Sequence, residues 1–163
     1  RELAQQRAYL EANGRDLLED FVARELAEDR RTLYVGPSVA AFVPACARYP
    51  YEVWVAPKRP AASVAALTDE ERLDFARALK HTLTTFDALW GTPFPYIMAF
   101  HQAPTDGDAH PEAHLHVEFY PAYRMKGRLK YLAGSEIGAG VFTADTDPDE
   151  RAAELRRAQV SRA

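Results

Sequence analysis

Hydrophobic and polar positions follow two rhythms along this chain. Between residues 2 and 29 the rhythm is helical. Leu17, Leu18, Phe21, Val22 and Leu26 recur at three- and four-residue intervals after a break at Asn13-Gly14, which predicts an amphipathic helix. Thr32–Val35 and residues 39–43 read as short strands around the Gly36-Pro37-Ser38 turn, and 51–56 as a third strand ended by Pro57. The clearest helix covers 68–90. Thr68 and Glu71 make a capping box, in which hydroxyl and carboxylate each take an amide that a helix start leaves over. Leu73, Ala76, Leu79, Leu83, Phe86 and Trp90 then define one apolar stripe, stopped by Gly91 and Pro93. Residues 94–101 are extended and 113–121 are their expected partner, with a polar loop at 103–111. A short helix at 148–157 starts on Pro148.

Five or so strands, with one long helix between strand pairs, predict an α+β fold. Its expected form is an antiparallel sheet packed with one long and several shorter helices. A length of 163 residues, 47% of them hydrophobic, suits a single domain over 1–163. The net charge of -4 argues against non-specific nucleic-acid binding. No apolar run approaches the roughly 20 residues of a membrane span. The lone Cys46 excludes an internal disulfide and fits a reducing cytoplasm.

The candidate chemistry concentrates in His114-Leu115-His116-Val117-Glu118. On a strand, successive side chains point to opposite faces, so His114, His116, Glu118 and Tyr120 would share one face. Imidazole nitrogen and carboxylate oxygen, with His101 upstream, suit zinc or iron. Phosphate is the other ligand that fits such a group. His81 lies off the helix stripe and reads as solvated, and His110 as a loop residue. A second group is the basic segment 124–136, in which Arg124, Lys126, Arg128 and Lys130 precede a Gly-Ser turn. It reads as a phosphate contact or as a solvated loop.

Two stretches together make a wider pattern. They are Phe94-Pro95-Tyr96-Ile97-Met98-Ala99-Phe100-His101-Gln102-Ala103-Pro104 and Leu115-His116-Val117-Glu118-Phe119-Tyr120-Pro121. With Arg24-Glu25-Leu26, Pro50-Tyr51-Glu52, Leu67-Thr68-Asp69 and the segment from Lys130 to Glu136, they resemble the C-terminal half of galactose-1-phosphate uridylyltransferases, a histidine-triad-like superfamily. The resemblance implies a half-enzyme of galactose metabolism that moves uridylyl groups between UDP-glucose and galactose-1-phosphate. It implies a structural zinc or iron held by Glu2, His101, His116 and Glu118, with His114 as a substitute for Glu118, which stands where a histidine is common. It implies hexose-phosphate contacts from Lys130, Tyr131, Ser135 and Glu136, and a homodimer. The family's nucleophilic histidine belongs to a His-Pro-His-Gly-Gln segment of the N-terminal half, which this sequence does not contain. No catalytic residue is therefore assigned to this chain, and the N-terminal half is an expected partner. The alternative is a stand-alone histidine-triad nucleotide hydrolase or phosphorylase with His116 as nucleophile.

Overall fold

The alternating segments build one five-stranded antiparallel sheet, described by a computed structural model for residues 2–132, 134–144 and 146–160. Helices α1 (Glu2–Asn13) and α2 (Leu17–Glu28) come first. Strands β1 (Thr32–Val35), β2 (Val39–Phe42) and β3 (Val53–Pro57) follow, then the long α3 (Asp69–Trp90). Next come β4 (Tyr96–His101) and β5 (His116–Pro121). A hairpin of β6 (Tyr123–Met125) and β7 (Arg128–Leu129) leads to α4 (Gly134–Ala139) and α5 (Pro148–Val160). The sheet order is β1-β2-β3-β5-β4, so β4 lies at an edge.

The two faces of the sheet have different work. One face carries Leu33, Val39, Ala41, Val53, Val55, Val117 and Phe119 and packs on Phe75, Ala78 and Phe86 of α3 and Ala152 and Leu155 of α5. The opposite face carries Ala40, Phe42 and Ala56 under Leu18 and Val22 of α2. Trp54 is on that second face, and the β3–β5 register sets it opposite Glu118. The β4–β5 register sets His101 opposite His116 and Ala99 opposite Glu118. Strand parity thus delivers His101, His116 and Glu118 to one surface.

Several elements depart from the sequence reading. The capping box of α3 forms, with Thr68 accepting from the Glu71 amide and Glu71 accepting from the Thr68 amide. Its buried face, however, is Asp74, Phe75, Ala78, Thr82, Thr85 and Phe86, whereas Leu73 and Ala76 are exposed. Polar residues can occupy that face because each is satisfied there. Thr82 and Thr85 donate to the carbonyls of Ala78 and His81. Asp74 accepts from the Tyr34 hydroxyl, the Ser38 amide and hydroxyl, and the Val39 amide. His81 is not solvated, since its Nε2 meets the Leu33 carbonyl at 3.0 Å. Strand β3 starts at Val53 because Tyr51 turns the backbone at φ 65°. The buried Tyr51 hydroxyl instead reaches Glu154 and Arg151 of α5. The β6–β7 hairpin and α4 occupy the segment that reads as a basic loop.

Candidate metal centre

Glu2, at the start of α1, meets the β4–β5 histidines. One donor atom from each of Glu2, His101 and His116 lies within 4.8 Å of the others. Glu2 Oε2 is 2.9 Å from His101 Nδ1, and Oε1 is 3.4 Å from His116 Nε2. The two imidazoles stack at 4.6 Å between ring centres, as their register requires. His116 is buried, and its Nδ1 donates to the His114 carbonyl at 2.8 Å. That bond leaves the lone pair on Nε2, facing the carboxylates, which is how metal-binding histidines are commonly oriented. His101 Nε2 is buried with no hydrogen-bond partner among the described residues. The hydrogen bond to Glu2 pushes His101 up from its ordinary pKa and holds Glu2 below the usual carboxylate range.

Glu118 is also present, with Oε1 3.5 Å from His116 Nε2 and Oε2 3.7 Å from His101 Nε2. Its Oε2 accepts from Arg48 Nη2 at 2.8 Å and from the Tyr120 hydroxyl. Two imidazoles and two carboxylates, with one ring nitrogen fixed as an acceptor and one buried nitrogen unsatisfied, fit a divalent cation such as zinc or iron.

His114 is a correction to the sequence reading. It precedes β5, so the strand alternation does not reach it. Its Nδ1 lies 2.8 Å from Asp16 Oδ1 and its Nε2 3.1 Å from the Pro57 carbonyl. Both ring nitrogens thus face protein acceptors, and the ring is engaged away from the Glu2–His101–His116 cluster. His110 pairs with Asp106 and Glu112.

The basic segment is separate from this cluster. Lys130 Nζ lies 3.3 Å from Glu136 Oε1 and donates to the Thr143 carbonyl, with its side chain only 5% exposed. Tyr131 and Ser135 are exposed. Ala133, within the same motif, lies outside the described residues. Just beyond α4, Gly140 and Phe142 help line a cavity of about 670 Å³ that also borders Glu2, His101, His116 and Glu118.

Sequence reading missed Arg48, Asp16 and Trp54. Arg48 had one signal, a solitary cation within the apolar run from Val39 to Tyr51. Asp16 is legible as the cap of α2 but not as the partner of a histidine 98 positions away.

The profile of the family described as "Galactose-1-phosphate uridyl transferase, C-terminal domain" matches residues 2–159. The chain belongs to this family. A galactose-1-phosphate uridylyltransferase of Thermotoga maritima is 38% identical over 133 residues, which are 81% of this chain and 42% of that protein. A solved uridylyltransferase mutant superposes with a TM-score of 0.89 at 40% identity, covering 99% of this chain and 52% of the other. The chain thus spans about half the length of these two relatives. A Hit-like protein from Bartonella henselae matches at a TM-score of 0.54 and 16% identity, a likeness of fold alone. The α+β architecture expected from the sequence is therefore the histidine-triad-like one. No helix among the described residues is long and apolar enough to cross a membrane.

Proposed function

We propose that this chain is the non-nucleophilic half of a UDP-glucose:hexose-1-phosphate uridylyltransferase. It supplies a structural metal centre and contacts to the hexose phosphate. The observation that carries the reading is the 40% identity to a uridylyltransferase over 99% of the chain. Glu2, His101 and His116, with Glu118 beside them, would hold zinc or iron. Bound there, the cation ties the start of α1 to β4 and β5, which is a structural task and not a step of group transfer. Lys130 and Glu136 would serve the phosphate and hydroxyls of galactose-1-phosphate, with the exposed Tyr131 and Ser135 next to them in the chain.

The uridylyl-carrying histidine belongs to an N-terminal half of the kind its relatives contain. Exposed apolar side chains on edge strand β4 (Tyr96, Ile97, Met98 and Phe100) support the docking of such a partner. Exposed Tyr131, Ile137 and Val141 support a further contact, as in a homodimer. The lone free Cys46 accords with a cytoplasmic location.

The stand-alone hydrolase reading fares worse on electrostatics. A phosphate attacked by His116 Nε2 would enter between Glu2 and Glu118, whose oxygens stand 3.4 and 3.5 Å from that atom. Two carboxylates repel a third anion.

The test is the intact protein mixed with UDP-glucose and galactose-1-phosphate. Formation of glucose-1-phosphate and UDP-galactose is expected, and no exchange would end the proposal. The 163-residue chain alone, given labelled UDP-glucose, should retain no covalent label. Retained label would favour His116 as nucleophile.

A further inference from the structure

Glu118 occupies an unusual environment for a prospective ligand. It is 4% exposed, and a carboxylate so buried is costly without partners. Those partners all sit on one of its oxygens. Arg48 Nη2 donates to Oε2 at 2.8 Å, the Tyr120 hydroxyl donates to the same atom, and Arg48 Nη2 lies 3.1 Å from that hydroxyl. The other oxygen, Oε1, faces His116 Nε2.

The guanidinium is itself well fixed. It lies over the rings of Tyr120 and Phe142, at 5.2 and 5.7 Å from their centres. Glu52 Oε1 is 3.6 Å from Arg48 Nη2, and Glu52 in turn is held by the Arg48 and Tyr49 amides and the Trp54 indole. Arg48 is thereby anchored through its backbone and its side chain to the strand that faces Glu118.

We propose that Arg48 is a positioning residue of the metal centre: by occupying Oε2, it leaves Glu118 a single oxygen to offer, Oε1, beside the His116 imidazole. This rests on the metal-centre reading above and goes beyond it. A carboxylate with both oxygens unengaged can grip a cation with one or two of them. Here Arg48 Nη2 and the hydroxyl of Tyr120 settle the choice. Arg48 also supplies the positive charge that the buried carboxylate needs in the absence of the ion.

The experiment is a cobalt titration of the chelator-treated intact protein, read by visible absorption, with folding checked by circular dichroism. Arg48→Met is introduced into the parent and into a Glu118→His background. Outer partners of metal ligands are typically worth about 10- to 100-fold in affinity, so Arg48→Met should weaken cobalt binding by that factor in the parent and alter its spectrum. In the Glu118→His background no carboxylate needs holding. The same change should then cost no more than about twofold, the scatter of independent sites, and leave the spectrum alone. An equal cost in both backgrounds means that Arg48 is merely structural and overturns the proposal, as does an unchanged parent. If Arg48→Met does not fold, Arg48→Lys takes its place in both backgrounds, keeping the charge but losing the planar fork. A parent that binds no cobalt overturns the metal-centre reading itself, an outcome distinct from the others.

Discussion

Asp16→Ala probes the framework behind the candidate metal centre. Asp16 Oδ1 caps α2 by accepting from the Glu19 amide at 2.7 Å, and it also receives the His114 ring at 2.8 Å. The substitution removes both bonds. A lost N-cap costs about 1 kcal/mol. Leaving the buried His114 ring without its acceptor costs a further ~1–3 kcal/mol. The expected total is about 2–4 kcal/mol. At about 2–4 °C per kcal/mol for a chain of this size, the variant should melt roughly 4–16 °C below the parent. Asp16→Asn keeps an oxygen for the cap and for Nδ1 and should lose about 1–2 kcal/mol. Acid narrows the gap. Burial pushes the Asp16 carboxyl up, but the His114 ring and the Glu19 amide outweigh it and hold the group below its ordinary 3.8. Its stabilisation is therefore complete above the unfolded pKa and is lost as pH falls through the lower folded value. Urea unfolding followed by tryptophan fluorescence, from neutral pH down to about pH 3, measures all three proteins. An alanine variant within about 1 kcal/mol of the parent at neutral pH would refute the reasoning. So would an asparagine variant as damaged as the alanine one.

Other outcomes follow from single sites. His101→Ala should strip the protein of bound metal, as read by elemental analysis, and undiminished metal would remove His101 from the donor set. Lys130→Ala should raise the KM for galactose-1-phosphate about tenfold, the worth of one charge-assisted bond, with metal content unchanged; an unaltered KM would count against its contact with the phosphate. Gly36→Ala would drive a methyl group into the Asp74 carboxylate, which four donors hold in place, and should cost about 1–3 kcal/mol in urea unfolding. Arg31→Met removes the cation that joins Glu25, Glu28 and Asp149 at 2.9, 2.8 and 2.7 Å. A loss of about 3–5 kcal/mol is expected, with faster amide exchange in α5, and a neutral result would show that this network adds little.

The local grammar of this sequence was readable where one element decides its own fate. The Thr68–Glu71 box starts α3, and the two extended runs around the polar loop pair as β4 and β5. Period-two alternation then brought His116 and Glu118 to one face, and kinship of motif linked them to His101 and Glu2. Distant partners were not readable. Nothing near His114 announces that Asp16 and the Pro57 carbonyl will engage both of its nitrogens. The α3 stripe was misplaced at its start because hydrophobicity alone cannot foresee a buried Asp74 with four donors, or threonines that bond their own helix. Arg48 reads as a loop cation until the fold closes over Glu118.

The pairing of His101 with His116 has a consequence for how this sheet assembles. The two rings meet only because β4 and β5 align residue for residue from Tyr96↔Pro121 to His101↔His116. A slip of one position would bring Phe100 opposite His116 and turn His101 toward the α3 side. Under the proposed metal centre, the donor set would act as a proofreader of strand alignment: a cation that demands both imidazoles would favour the correctly zipped sheet over its nearest misaligned rival.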